Sequence, residues 1–145
     1  MKKLLSMILA SVLIFTLAGC GGGEEAAPEA ETDGKTVKVG VSIYKFDDNF
    51  MTLYRQELER YFEEDLSADG TSYDVTVVDG KNDQAEQTNQ VNTFIADGVD
   101  VLVVNLVQAS AAPTVIEAAK AADIPVIFIN REPTAEDLAT YDKAC

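Results

Sequence analysis

The feature that most constrains the fold is an alternation of short apolar segments with longer segments of helical periodicity. The apolar segments have the length of strands and cover residues 37–43, 73–78, 99–104 and 125–129. Between them, three segments place apolar side chains three and four positions apart, as on one buried helix face: residues 49–66, 83–97 and 111–122. This order predicts an α/β fold with a parallel sheet and right-handed crossovers.

A βαβαβαβ run of this kind predicts a three-layer, flavodoxin-like sheet with the strand order 2-1-3-4. Such a sheet has its topological switch point between the first and third strands, where ligands bind at the carboxyl ends of the strands. The loops after Ile43, Val104 and Ile129 meet there, and all three carry polar residues. The sequence therefore predicts a binding site made by these loops.

The first of these loops, Tyr44-Lys45-Phe46-Asp47-Asp48-Asn49-Phe50, places two carboxylates between aromatic rings. A carboxylate accepts hydrogen bonds from adjacent hydroxyls, and an aromatic face covers the C–H side of a sugar ring. The loop therefore suits a polyhydroxylated ligand. Local alternatives stay open, because either acid could cap the following helix, and Tyr44 and Phe50 could be core or staple residues.

The other two loops offer an amide and a guanidinium. Asn105 ends the third strand, and its amide suits either a sugar hydroxyl or a neighbouring loop backbone. Asn130 and Arg131 end the fourth strand in the same layer. Arg131 could donate in a fork to ring or hydroxyl oxygens, and a solvent-exposed arginine is the ordinary alternative.

Composition excludes several classes of function. With 11 basic and 25 acidic residues the formal net charge is −14, which disfavours binding to nucleic acid or to anionic lipid. The chain has no histidine, and its 2 cysteines provide no disulfide framework or thiolate zinc site. No phosphate-binding glycine motif follows the first strand. We therefore expect a binding protein without cofactor or metal, and not an enzyme.

The first 34 residues have the composition of a leader and a tether. Residues 1–19 are expected to be a signal peptide, because two lysines precede an apolar run shorter than a membrane span. They end at Leu17-Ala18-Gly19-Cys20, which resembles a lipoprotein lipobox, so Cys20 is expected to be lipidated; an uncleaved anchor or an ordinary signal peptide is the alternative. Residues 20–34 are expected to be a flexible tether. These features predict an exported protein, lipid-anchored to the outer face of the cytoplasmic membrane.

Four motifs in the same order resemble galactose/glucose-binding proteins of bacterial ABC sugar importers, which are type I periplasmic binding proteins. They are residues 39–51, Lys81-Asn82-Asp83-Gln84, Asn105-Leu106-Val107 and Asn130-Arg131-Glu132-Pro133. The resemblance implies that Asp48 and Asn105 hydrogen-bond a galactose- or glucose-like sugar and that Phe50 stacks on its ring. Tyr44, Asn130 and Arg131 would be walls of the same cleft. The resemblance further implies that two lobes close on the sugar and that the closed form docks on a membrane permease, with a chemoreceptor as another partner.

One departure from that family concerns length. Its members have two similar lobes, whereas residues 35–145 cover an N-terminal lobe and end near the first crossover. The second lobe is expected to be missing, together with its sugar ligands and the calcium site of part of the family. Because one open lobe encloses no sugar, low affinity is expected. The alternatives are a truncated non-binding remnant or a sensory interaction module of the same fold; an enzyme of flavodoxin-like build lacks a nucleophile, a base and a cofactor loop.

Overall fold

The computed structural model describes residues 36–145, apart from the side chains of residues 68 and 69. The predicted signal peptide, lipidated Cys20 and tether lie outside the described residues and stay predictions. The strands are β1 (Thr36–Ile43), β2 (Ser72–Asp79), β3 (Val101–Val104) and β4 (Val126–Phe128). They alternate with the helices α1 (Asn49–Arg60), α2 (Gln84–Ala96) and α3 (Ala112–Ala121), and α4 (Ala135–Leu138) follows β4.

All four strands are parallel, and their order is β2-β1-β3-β4. The predicted fold class and strand order are therefore confirmed. In the register, Ile43 lies opposite Asp79 of β2, and Ser42 lies opposite Val104 of β3. The carboxyl ends of these strands consequently lie side by side, as the predicted site requires. A parallel bridge between Val126 and Ala144 extends the pairing beyond β4.

Each face of the sheet has its own apolar core. In β3, Leu102 and Val104 belong to the core beneath α2 and α3, whereas Val103 belongs to the core beneath α1. This alternation is the pattern of a strand that is buried on both faces. The approach of α2 to the sheet is unusually close at Gly40, where an added Cβ would lie 2.6 Å from Cγ of Phe94. Glycine in the middle of β1 is therefore a packing requirement.

The predicted helix over residues 49–66 is wrong in its last third. α1 ends at Arg60, and a π-helical turn (Tyr61–Asp65) and a 3-10 turn (Leu66–Asp69) follow it. In this region the Glu64 and Asp65 carboxylates lie 2.8 and 3.2 Å from the Arg60 guanidinium. Apolar periodicity does not reveal such a change, because it records the spacing of side chains and not the size of the hydrogen-bonded ring.

The other boundaries differ from the prediction by only a few residues. β3 and β4 are shorter than predicted at one or both ends, and a 3-10 turn (Ala109–Ala111) precedes α3. Asp83 is the N-cap of α2, since its carboxylate accepts hydrogen bonds from the backbone of Ala85 and Glu86. The cap fixes where the loop after β2 ends, and that loop borders the candidate site.

Candidate functional site

Backbone hydrogen bonds join the loop after β2 to the loop after β1. The amide of Gly80 donates to the carbonyl of Ile43 at 2.7 Å, and that of Asn82 donates to the carbonyl of Tyr44 at 2.7 Å. A Cβ on Gly80 would lie 2.9 Å from the Ile43 oxygen, so a larger residue would push the two loops apart. The glycine therefore lets the β2 loop support the loop that carries the predicted sugar ligands.

Asp48 makes two hydrogen bonds through its two carboxylate oxygens. Oδ1 accepts from the Met51 amide at 2.9 Å, which makes Asp48 the N-cap of α1 and confirms the capping alternative for this acid. Oδ2 accepts from the Tyr44 hydroxyl at 2.8 Å. The Met51 bond, followed by the Tyr44 bond, lowers the pKa of the Asp48 carboxyl, and the bond to Asp48 raises the pKa of Tyr44. Asp48 is therefore an ionised acceptor at neutral pH.

The neighbouring acid and the nearby ring have different surroundings. Asp47 pairs with Lys45 at 3.1 Å, and its side chain is 82 % exposed. Phe50 is 61 % exposed, and its ring centroid lies 6.2 Å from that of Tyr54. The core alternative is therefore wrong for Phe50, whereas it is confirmed for Tyr44, which is buried. Phe50 presents an apolar ring to solvent two residues after an ionised carboxylate.

Asn105 is fully buried at the end of β3. Its Oδ1 accepts from the Tyr44 amide at 3.4 Å, and its Nδ2 donates to the Ile129 carbonyl at 2.9 Å. The side chain thus bridges the loops after β1 and β4, which confirms the alternative that it satisfies loop backbone. In this conformation the amide has no exposed surface, so its predicted contact with a sugar stays a prediction.

Arg131 is half-buried and holds three loops together. Its Nη1 donates to the carbonyl of Leu106 at 2.8 Å and also to that of Val107. Its Cζ lies 4.2 Å from the centroid of the Tyr44 ring, a cation–π contact. The solvent-exposed alternative is therefore wrong for Arg131. The guanidinium covers one face of a ring whose hydroxyl contacts Asp48.

A tight turn after β4 places Arg131 there. Asn130 has a φ of 62°, in the left-handed region that asparagine tolerates better than most residues, and the Arg131 amide donates to the Ile129 carbonyl at 2.7 Å. The Asn130 side chain is exposed. The structure thus connects four of the six predicted ligand residues in one cluster and leaves two with exposed side chains: Tyr44, Asp48, Asn105 and Arg131 in the cluster, Phe50 and Asn130 exposed.

Two residues that shape these loops were missed by the sequence analysis. Asp79, the last residue of β2, accepts hydrogen bonds from the amides of Phe46 at 3.1 Å and Lys81 at 2.8 Å. Gln87 on α2 is fully buried, and its Oε1 accepts from the Val107 amide at 2.8 Å. A signal for the second was present, because α2 carries glutamine at every third position over one stretch: Gln84, Gln87 and Gln90.

Other kinds of site find little support in the described part of the chain. Residues 36–145 contain no group of three or more His, Cys, Asp or Glu side chains placed to hold a metal ion. Over the same residues, no helix has the length and apolar character needed to cross a membrane. Cys145 is a free, exposed thiol.

The sequence from β1 onwards matches a known family. A family model described as a periplasmic binding protein domain matches residues 39–142. The chain belongs to the periplasmic binding protein family. Members of this family are exported binding proteins and not enzymes, which supports the predicted export and the non-enzymatic class at the level of the family.

This periplasmic binding protein is similar in sequence or structure to three known binding proteins. The D-galactose/methyl-galactoside binding periplasmic protein MglB of Haemophilus influenzae is 40% identical over 107 residues, 74% of this chain and 31% of that protein. The putative rhizopine-binding protein of Rhizobium meliloti is 36% identical over 137 residues, 94% of this chain and 38% of that one. An ABC transporter solute binding protein from Bacillus halodurans C-125, solved with bound myo-inositol, has a TM-score of 0.61 and 29% identity over 78% of this chain and 36% of its own. The chain therefore spans about a third of the length of these relatives.

Proposed function

We propose that this chain is the N-terminal lobe of the substrate-binding lipoprotein of an ABC importer, and that it binds galactose- or glucose-like monosaccharides for delivery to a membrane permease. The observation that carries the proposal is the juxtaposition of the ionised Asp48 carboxylate with the exposed ring of Phe50 at the switch point of the sheet. The 40% identity with a galactoside-binding protein supports a hexose as the ligand.

Each proposed ligand residue has a distinct chemical task. Asp48 accepts hydrogen bonds from two adjacent sugar hydroxyls through lone pairs that its bonds to Met51 and Tyr44 leave free. Phe50 stacks on the C–H face of the ring. Arg131 retains N–H donors beyond those used by the two carbonyls, and it directs them to ring or hydroxyl oxygens.

The remaining residues complete the wall of the cleft. Tyr44 and Asn130 border the sugar, Tyr44 through the ring edge beside Asp48 and Asn130 through its exposed amide. Asn105 has one N–H and one lone pair beyond the bonds to Tyr44 and Ile129, and it reaches the sugar when the loop after β4 moves away from it. In the open lobe it is a positioning residue.

Affinity for the isolated lobe is expected to be low, because it supplies only one wall of a cleft that closes between two lobes. A dissociation constant on the order of millimolar corresponds to about −4 kcal/mol, which a few charge-assisted hydrogen bonds and one stacked ring provide. Export and lipidation of Cys20 complete the proposal. They are supported by the leader sequence, and Cys20→Ser should abolish metabolic incorporation of a labelled fatty acid.

Titration of the ¹⁵N-labelled protein with galactose, glucose and myo-inositol, followed by NMR, tests the binding. We expect dose-dependent shifts of backbone amides confined to residues 44–50, 105–107 and 130–131, with galactose or glucose binding before myo-inositol. Asp48→Asn should abolish the shifts. Asp47→Asn is the matched control, because it removes the same charge from an exposed neighbour that pairs with Lys45, and it should titrate like the unaltered protein.

Two outcomes would contradict the proposal. Tighter binding of myo-inositol than of galactose or glucose would mean that the ligand is a cyclitol and not a hexose. No shift with any of the three ligands up to about 100 mM would favour the alternative reading, a non-binding module of the same fold.

A further inference from the structure

A buried amide lies beneath the loop that follows β3. Gln87 is fully buried, and its Nε2 donates to Oγ of Ser42 at 3.1 Å and to the carbonyl of Asn105 at 2.9 Å. Its Oε1 accepts from the amide of Val107 at 2.8 Å. One side chain of α2 therefore bonds β1 and both ends of the segment 105–107.

Packing alone does not explain a glutamine at this position. The other fully inward residues of α2, Val91 and Phe94, are apolar, and they fill the same interface with the sheet. A buried amide is costly unless its hydrogen bonds are made, so a leucine or methionine would serve a purely structural role better. The bonds of Gln87 account for its presence, and two of the three go to the loop.

The same loop segment holds Arg131 in place. The carbonyls of Leu106 and Val107 accept hydrogen bonds from its Nη1, and the guanidinium lies 4.2 Å from the centroid of the Tyr44 ring. Since the amide of Val107 is held by Gln87, the position of both carbonyls depends on this glutamine. A continuous chain of contacts thus runs from the interior of the domain to the candidate site.

We propose that Gln87 is a positioning residue of the binding site, which fixes residues 105–107 and thereby holds Arg131 over Tyr44. Its effect on sugar affinity rests on the proposed function above. Its effect on the position of Arg131 does not, and it is measurable without any sugar.

The first experiment therefore uses the ring-current shift of the Arg131 side chain. Its protons lie over the Tyr44 ring and should resonate upfield of ordinary arginine protons. Gln87→Met keeps the volume and the unbranched shape but removes all three bonds, so most of that shift should disappear. Ser42→Ala removes the bonds of Ser42 to Gln87 and Gln90 but leaves both bonds of Gln87 to the loop, and Val91→Ala opens a cavity on the same helix face. Both variants should preserve the shift.

An unchanged ring-current shift in Gln87→Met would overturn the proposal. If Gln87→Met does not fold, Gln87→Leu replaces it. This variant is also apolar and of similar size, and it too removes all three bonds. A ring-current shift that is fully retained in Gln87→Leu would overturn the proposal equally.

The second experiment measures galactose affinity by the NMR titration described above. Gln87→Met and Arg131→Ala should each weaken binding by about tenfold, and the double variant should be no weaker than Arg131→Ala alone, because Gln87 acts through Arg131. Losses that multiply would mean that Gln87 supports the fold only. No binding by the unaltered protein would refute the proposed function, and the ring-current measurement would still decide the role of Gln87.

Discussion

Asp48 combines a structural task and a candidate binding task in one carboxylate. Oδ1 caps α1, whereas Oδ2 holds the Tyr44 hydroxyl. Capping the helix and binding sugar hydroxyls both need a hydrogen-bond acceptor. Only sugar binding benefits from a full negative charge, since asparagine caps helices as well as aspartate does. Asp48→Asn therefore separates them, and Asp48→Ala removes both.

The pH dependence of stability should report the carboxylate of Asp48. Its pKa lies below the ordinary value of 3.8, so between the two values the native protein binds fewer protons than the unfolded chain. This contribution is present above 3.8 and is lost as the pH falls through the native pKa. Urea midpoints measured from about pH 6 to pH 2 should fall more steeply for the unaltered protein than for Asp48→Asn. Equal slopes would show that the two bonds do not favour the ionised form.

Tyr44 should have the opposite dependence at high pH. Its pKa is raised above 10.0, chiefly by the hydrogen bond to Asp48, so the native protein keeps the phenol proton when the unfolded chain has lost it. The contribution is present below 10.0 and is lost as the pH rises through the native pKa. Burial also raises the pKa of Tyr141, so spectrophotometric titration of the phenols should find two late-ionising tyrosines. Only that of Tyr44 should return towards the ordinary value in Asp48→Asn.

At the scale of elements, β1 and α2 lie unusually close together at Gly40. A Cβ on Gly40 would lie 2.6 Å from Cγ of Phe94, a buried ring of the core, so the ring would have to shift. Gly40→Ala should therefore destabilise the protein by about 1–3 kcal/mol in chemical denaturation, as overpacked cores do. Phe94→Leu in the same chain should recover part of that loss. Additive losses in the double variant would mean that the ring is not the obstacle.

The elements themselves were largely predictable from the sequence, and the reason is burial. β3, which is covered on both faces, is apolar throughout, and the apolar residues of β1 and β2 located those strands to within about two residues. The order followed from the crossover rule. The π-helical turn was not predictable, because apolar periodicity does not record the size of the hydrogen-bonded ring. Within the candidate site, the positions of Asp48 and Phe50 were evident from local sequence.

The orientations of Asn105 and Arg131 were not evident from the sequence. Asn105 bonds a carbonyl 24 residues further along the chain, and Arg131 bonds carbonyls 25 and 24 residues before it. Residue type and strand end predict that such groups lie at the switch point. Whether they face a ligand or the backbone depends on loop conformations that no local pattern encodes.

At the scale of the whole domain, the two faces of the sheet are covered unequally. Residues from α2, α3 and α4 contribute to the core on one face, whereas α1 and the π-helical turn after it serve the other. Leu53 on α1 and Ile127 on β4 are accordingly 68% and 40% exposed, among the large apolar side chains that are open to solvent.

The different burial of two residues two positions apart on α1 predicts different costs for their substitution. Met51→Ala should lower the free energy of unfolding by about 2–5 kcal/mol, because this side chain is 1% exposed and its removal leaves a cavity. Leu53→Ser should change it by no more than about 0.5 kcal/mol and should reduce binding of an apolar dye. A large destabilisation by Leu53→Ser would mean that its side chain is buried in solution.

The bond between the Tyr44 hydroxyl and the Asp48 carboxylate also has an optical consequence. The chain has 5 tyrosines and no tryptophan, so its ultraviolet emission comes from phenols alone. A phenol becomes more acidic on excitation, and an adjoining carboxylate that takes up its proton quenches its light. Tyr44 should therefore emit weakly while its hydroxyl is bonded to Asp48, and Asp48→Asn, which removes the carboxylate, should increase the emission. The fluorescence would then report the state of this hydrogen bond without a label, and the increase should be absent when Tyr44→Phe is also introduced.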